Sequence, residues 1–249
     1  MLPRRIYQFL LIYLIGLLLL FAVKYGFGLS DYVIPGPRDV INTLKTVCIR
    51  YFSDVVDTFS VAVIGQIISI CLAAAVGIIG RRTTWFGSFV KVAAYNVQAY
   101  PIVAIAPIIF ILFGDGFLSR LLIAAMICYF PILLSVIGIM SEPVEDVEHF
   151  YRATGRMRWQ LEVKIRAFEN LGKLTTVISG SATLAMAGTI VSEFIAANAG
   201  IGYSIRIALY QSDLSRILIA LFLIGITLSI YQGLLELCGH LVKKGWSGH

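Results

Sequence analysis

The chain has 249 residues, of which 59% are hydrophobic and only 14% charged, and its formal charge is +6. Its mean hydropathy is +0.87, whereas a soluble domain of this length usually has about 25% charged residues. The composition therefore excludes an ordinary soluble domain. The basic residues are spread along the chain rather than clustered, which argues against a nucleic-acid partner and favours a lipid bilayer.

Charge-free windows divide the chain into six apolar segments, each close to the ~20 residues that a helix needs to cross a bilayer. Backbone amides in lipid must be satisfied within their own segment, so the segments are predicted to be helices. We predict an all-α integral membrane protein with six transmembrane helices in a single domain, 1–249. The predicted spans are 6–23, 58–80, 92–113, 121–140, 174–192 and 217–235, with a loop at 141–173.

The distribution of lysine and arginine predicts the orientation of these spans. With the N-terminus in the cytoplasm, that side receives 13 basic residues and the opposite side receives 7. The bias places both termini and the loop 141–173 in the cytoplasm. Arg4 and Arg5 precede the first apolar run, as in a signal peptide. That run is long for a signal and no small-residue cleavage site follows it, so we predict a span.

Two segments outside the spans are predicted to be helices on the outer surface. After a proline-containing turn, Val40, Leu44, Val47 and Tyr51 recur at helical spacing, which predicts an amphipathic surface helix. Residues 198–216 contain two closely spaced glycines, followed by the apolar Ile205 and Leu209 and the polar Gln211 and Asp213. There we predict a short re-entrant or surface helix at an outer gate.

The segment 147–170 is densely charged in an otherwise apolar chain. Phe150, Thr154, Met157, Leu161, Ile165 and Phe168 recur at spacings of 4, 3, 4, 4 and 3, which indicates one helical face. Six basic and six acidic residues between Glu142 and Lys173 cancel, whereas a membrane-surface helix is usually strongly basic. The segment is therefore either a helix pair, joined at Gly155, that docks in a groove of a partner protein, or an ordinary solvated loop.

Several stretches resemble the permeases of bacterial ABC importers. "RATGRMRWQ" followed by "KIRAFENLG" is similar to the cytoplasmic E-A-A-x-x-x-G signature loop of that family. In the same order and spacing, "VIPGPRDVINTL", "YPIVAIAPIIFILFGDGFLSR", "YFPILLSVIGIM" and "VSEFIAANAGIGYSI" resemble other family stretches, over nearly the whole chain. The branch most resembled imports nitrate, sulfonates, taurine and thiamine precursors. His149, Phe150 and Tyr151 stand where the family motif has glutamate and two alanines.

The resemblance implies a type I ABC-importer permease fold with a cytoplasmic coupling helix, in the bacterial inner membrane. It also implies a second copy of the permease, two P-loop ATPase subunits that bind ATP and Mg²⁺, and an extracytoplasmic substrate-binding protein. The chain itself contains no G-x-x-x-x-G-K-[ST] motif, so no catalytic residue or cofactor is expected in it. The residues predicted to dock on the ATPase are Arg152, Ala153, Gly155, Met157, Arg158 and Leu161.

Polar residues within the spans are candidates for the translocation pathway. Asn96, Gln98 and Tyr100 precede Pro101, which can kink the third span. Pore lining and interhelical hydrogen bonding are both open for Gln98 and Tyr100. Glu193 is predicted to stabilise an outer loop or gate, with Arg206 as its candidate partner. We predict helix contacts for Gln66 and for the small residues of the fifth span, such as Gly180 and Gly188.

Two other classes of membrane protein are less consistent with the sequence. A membrane enzyme would need a catalytic or metal-binding set, and the three histidines lie far apart outside the spans. A secondary transporter or a channel without an ATPase is the main alternative. It would need an ion- or proton-coupling residue in mid-membrane, and no charged residue or histidine lies in the middle of a predicted span.

Overall fold

A computed structural model of the chain describes residues 2–80, 84–98, 100–141 and 159–247, and every regular element in these ranges is an α-helix. We number the helices in chain order. They are α1 Leu2–Gly26, α2 Pro37–Gly80, α3 Thr84–Gln98, α4 Ile102–Phe113, α5 Phe117–Ser141, α6 Trp159–Glu169, α7 Leu171–Ile195, α8 Ile201–Tyr210 and α9 Leu214–Ser247.

Five of these helices, α1, α2, α5, α7 and α9, are long and apolar enough to cross a membrane. The third predicted span, 92–113, is split into α3 and α4, which lie at 91° to each other. Pro101 is the N-cap residue of α4, with φ −66° and ψ 113°. Its missing N–H and fixed φ explain why one helix ends before it and another begins after it. The count of six spans holds if the bent pair is one broken span.

The second predicted span is part of a much longer helix. α2 runs for 44 residues, about 66 Å at 1.5 Å per residue, whereas the hydrocarbon core is only about 30 Å thick. The predicted separate surface helix around Val40 and Tyr51 is therefore wrong: that segment is the first part of α2. Val47, Tyr51 and Val55 are buried against α8 and α9, and this packing keeps the helix continuous.

The centre of the bundle is made by α2, α5 and α7, which pack against one another through small residues. A Cβ added at Gly65 would lie 3.1 Å from the Ala124 Cβ, and one at Gly188 would lie 2.8 Å from Ile127 Cδ1. Such close approach suits membrane helices, whose association depends on packing rather than on water exclusion. The packing role predicted for Gly188 is confirmed, whereas Gly180 faces open space.

Helix α1 lies at the edge of the bundle and packs on α9. Arg5 forms an ion pair with Glu236, and the Tyr13 hydroxyl donates to the Leu218 carbonyl at 2.9 Å. Gly225 of α9 leaves room for the ring of Phe9. These contacts hold α1 against one helix, while its other faces carry exposed leucine and isoleucine side chains suited to lipid.

Candidate functional site

Glu193, near the C-terminal end of α7, lies at the centre of a buried polar cluster. Its side chain is fully buried, and Oε2 accepts hydrogen bonds from Thr58 Oγ1 at 2.8 Å and from the Gly202 N–H at 3.0 Å. Oε1 accepts a third hydrogen bond from Arg120 Nη1 at 3.1 Å. One carboxylate therefore joins four helices: α2, α5, α7 and α8.

Arg120 is the cation of this cluster and it bridges two carboxylates. Its Nη1 also donates to Asp57 Oδ2 at 2.6 Å. The side chain of Asp57 is 41% exposed, whereas those of Arg120 and Glu193 are 7% and 0% exposed. A buried carboxylate is tolerated only when it is paired and hydrogen-bonded, and Arg120 together with the two neutral donors meets this requirement.

The same carboxylate fixes the first turn of α8. The N-cap residue Gly200 has φ 88°, a left-handed conformation that favours glycine. A Cβ on Gly200 would also collide with the Glu193 carboxylate. The Ile201 N–H donates to Thr58 Oγ1 at 2.8 Å, so Thr58 and Glu193 bind the two first free amides of α8. A negative charge at this position is also favoured by the helix dipole.

Two further contacts attach the body of α8 to its neighbours. Ser204 Oγ donates to Asp54 Oδ2 of α2 at 2.6 Å. Arg206 donates to the carbonyl of Phe194 at 3.2 Å and to that of Ala197 at 2.7 Å. The predicted short helix in this region is confirmed. Its arginine binds backbone oxygens instead of Glu193, so the predicted Glu193–Arg206 pair is wrong and Arg120 takes that place.

The other predicted pathway residues lie on or beside α3, apart from the Glu193 cluster. Asn96 is exposed and its Nδ2 donates to the Val92 carbonyl of its own helix at 3.0 Å. Tyr100 is 65% exposed and lies in the bend next to Pro101. Gln98 is the last residue of α3, and its side chain lies outside the described part of the structure. Asn96 and Tyr100 thus lie on a surface of the single chain.

Most residues of the predicted ATPase-docking set lie outside the described residues. These are Arg152, Ala153, Gly155, Met157 and Arg158, together with the side chain of Leu161. The neighbouring helix α6 is described. Its Val163 and Ala167 pack on the core and Arg166 donates to the Met140 carbonyl at 3.2 Å, whereas Phe168 is 40% exposed. The predicted apolar face of Ile165 and Phe168 is therefore not the face that packs on the bundle.

A second polar group, in the middle of the bundle, was only partly foreseen. Gln66 Nε2 donates to the Ile178 carbonyl and to Ser181 Oγ, both at 2.8 Å, and its Oε1 accepts from the Tyr231 hydroxyl at 2.8 Å. This confirms the helix contact predicted for Gln66. Gln232, in the same stretch of α9, donates to Thr183 Oγ1 at 2.7 Å. In the sequence, the adjacent Tyr231 and Gln232 in the apolar run of α9 were the feature that could have indicated this second polar group.

Comparisons with known proteins give the context of these features. A family model described as "Binding-protein-dependent transport system inner membrane component" matches residues 55–237. The matched region contains the Glu193 cluster, the bent pair α3–α4 and the loop with the charged segment. It excludes α1 and the first part of α2.

Three relatives are similar to this chain. The riboflavin transport system permease protein RibX of Chloroflexus aurantiacus is 41% identical over 143 residues, which cover 56% of this chain and 53% of that protein. The formylaminopyrimidine transport permease protein ThiX of Halalkalibacterium halodurans is 24% identical over 204 residues, 79% of each chain. A probable ABC transporter permease protein of Haemophilus influenzae is 26% identical over 136 residues, 54% of this chain and 55% of that protein.

The matched part of the chain thus spans about half the length of two of these relatives, at 53% and 55%. The family match is broader, since it covers most of the chain and, among the described residues, at least part of every candidate membrane-spanning helix except α1. Members of this family are transport permeases and not enzymes. The chain is a multi-pass membrane protein that belongs to the family of binding-protein-dependent transport system inner membrane components.

Proposed function

We propose that this chain is the permease subunit of an ATP-driven importer. Two copies would surround the solute path, two P-loop ATPase subunits would bind ATP and Mg²⁺, and an extracytoplasmic binding protein would deliver the solute. The family match over residues 55–237 carries this proposal. The bias of 13 basic residues against 7 supports an orientation with both termini in the cytoplasm, and the family description supports a bacterial inner membrane.

In this orientation the Glu193 cluster lies at the outer end of the bundle, and α8 is part of the outer gate. The ATPases would dock on the opposite side, at the charged segment that contains Arg152, Gly155 and Arg158. Closure of the ATPase dimer would draw two such segments together. The bundles would then rotate as rigid bodies between inward- and outward-open states, which is alternating access.

The proposed solute is a planar nitrogen heterocycle. RibX is named for riboflavin and ThiX for a formylaminopyrimidine, and both names denote flat, nitrogen-rich ring systems. Within the range of solutes that the family resemblance implies, these relatives support a pyrimidine-type precursor over nitrate, taurine or another sulfonate, and the name of RibX adds a flavin to that range.

Copurification tests the importer assignment. The chain would be tagged at its C-terminus, extracted from its native membrane in mild detergent and analysed by mass spectrometry. Recovery of a P-loop ATPase at about one copy per permease supports the proposal. If no ATPase is recovered even after chemical crosslinking, and solute flux in vesicles persists without ATP, the chain is a secondary transporter or channel.

A separate experiment tests the solute. Proteoliposomes that contain the complete transporter would be supplied with the purified binding protein, internal ATP and labelled riboflavin. ATP-dependent accumulation of riboflavin supports the heterocycle assignment. Accumulation of taurine or nitrate instead would replace it, without affecting the importer assignment.

A further inference from the structure

One face of α3 carries an unusual set of exposed side chains. Trp85, Phe89, Val92 and Asn96 are spaced by 4, 3 and 4 residues, which places them on one side of the helix. All four are exposed, and Trp85 has 75% of its surface accessible. Ala94, on the opposite side, is buried. The helix therefore packs on the bundle with Ala94 and presents this face outward.

The chemistry of this face combines flat rings with an amide. The rings of Trp85 and Phe89 are stacked, with centroids 5.8 Å apart and planes inclined by 11°. Asn96 Nδ2 donates to the Val92 carbonyl of its own helix, and this bond does not use Oδ1, the acceptor atom of the amide. Tyr100, in the bend that follows α3, adds another exposed ring. We refer to Trp85, Phe89 and Asn96, together with Tyr100 in the adjoining bend, as the α3 face.

The exposed surface of α4 differs from the α3 face. Helix α4, directly after the bend, exposes Ile108, Ile111 and Leu112. Hydrocarbon accommodates such side chains at no cost, whereas an amide placed in hydrocarbon loses its hydrogen bonds to water. The surface of α4 is therefore suited to lipid. The α3 face is suited to a molecule that has both a planar ring and a hydrogen-bonding group.

We propose that the α3 face lines the translocation path and selects for planar nitrogen heterocycles. A conjugated ring can stack on Trp85, Phe89 or Tyr100, and a ring N–H can donate to Asn96 Oδ1. The inference rests on the proposed importer function and adds to it the side chains that contact the solute. Lys91 lies on a different side of α3 from Asn96, so the α3 face itself carries no charge.

Cysteine labelling tests whether the α3 face meets water. The native cysteines Cys48, Cys71, Cys128 and Cys238 would first be replaced, and then N96C or the control I111C would be introduced into the complete transporter. Ile111 is 83% exposed on α4 and should face lipid. A membrane-impermeant maleimide should label N96C and leave I111C unlabelled, and riboflavin with its binding protein should slow the labelling of N96C several-fold.

Two labelling results would overturn the proposal. If N96C is inert to the maleimide but forms a disulfide with N96C of the second copy, this face is a subunit contact. If N96C and I111C are equally inert, the face lies against lipid. Neither result depends on which solute the importer carries, so both are distinct from a failure of the proposed function.

The KM for riboflavin gives a second test, because a purely structural role of the α3 face would not change the KM selectively. F89L should raise the KM for riboflavin uptake by about two- to tenfold, the range expected for loss of one ring contact, with a smaller change in kcat. F89Y keeps the aromatic ring and should therefore have a KM close to that of the wild type. If wild type transports riboflavin and F89L and N96L retain its KM, the α3 face does not contact the solute. If wild type accumulates no riboflavin, the heterocycle preference is wrong.

Discussion

Arg120 Nη1 and Glu193 Oε1 lie 3.1 Å apart in the interior of the bundle, although the residues are 73 positions apart in the chain. This pair links α5 to α7, and the same carboxylate binds the first turn of α8. Helix α8 has only ten residues; Ile201 and Ala208 are buried, and the remaining attachments of its first turn are polar. Removal of these polar contacts should therefore have a measurable cost.

Arg120→Gln should destabilise the protein strongly. The substitution leaves the Glu193 carboxylate buried without a cation, and breaking a buried pair in this way costs about 3–5 kcal/mol. The measurement is the free energy of unfolding in mixed micelles titrated with a denaturing detergent. Arg216→Gln is the matched control, because Arg216 pairs with Asp213 at 3.0 Å with its side chain 37% exposed, and a pair of this kind contributes less than about 1 kcal/mol.

The double variant Arg120→Gln with Glu193→Gln gives a sharper form of this test. Removal of both charges leaves no unpaired ion in the interior, since only Asp57, whose side chain is 41% exposed, loses its cation. The loss of stability should therefore be clearly smaller than the sum of the two single losses. Additive losses would mean that the two side chains stabilise the fold independently.

Thr58→Val should loosen the first turn of α8 while leaving the bundle folded. Valine has nearly the same shape as threonine, but it cannot donate to Glu193 or accept the Ile201 N–H. Loss of these bonds should speed hydrogen exchange at Ile201 and Gly202 by about tenfold or more. Thr58→Ser keeps the hydroxyl and should exchange at nearly the wild-type rate; equal acceleration in both variants would point to lost packing instead.

Gly188→Ala should destabilise the contact between α5 and α7. The added Cβ would lie 2.8 Å from Ile127 Cδ1 and 3.3 Å from Ala124 Cα, and such overpacking costs about 1–3 kcal/mol. Gly180→Ala on the same helix meets nothing within 4 Å and should be neutral or stabilising by up to about 1 kcal/mol. The free energies of unfolding of the two variants, measured side by side, separate the effect of packing from the effect of helix propensity.

Gly155→Pro and Arg158→Glu should each abolish ATP-driven uptake without reducing the amount of folded protein in the membrane. Both changes fall in the predicted ATPase-docking segment, where a proline restricts the backbone and a glutamate reverses a charge. Lys244→Glu makes the same charge change at an exposed residue near the C-terminus and should leave uptake unaffected. Uptake at the wild-type rate in both docking variants would contradict the coupling role of this segment.

Among the described residues, the sequence was most informative where solvation decides the structure. A charge or an unpaired amide is costly in hydrocarbon, so charge-free windows located the bilayer-crossing helices, and Pro101 located the bend between α3 and α4. The same cost identified Gln66 as a helix contact before its partners were known. These inferences need only the local sequence and the thickness of the membrane.

Contacts between distant parts of the chain were decided by the tertiary structure. Arg206 is closer to Glu193 in sequence than Arg120 is, yet Arg206 binds the carbonyls of Phe194 and Ala197, and Arg120 reaches the carboxylate across the α5–α7 contact. The first part of α2 shows the amphipathic spacing of a surface helix, and packing of Val47 and Tyr51 joins it to the span instead. The sequence determined which segments enter the membrane, because solvation acts on each residue by itself. Only the packed bundle determined which buried charges pair, because that choice depends on the distances between side chains of different helices.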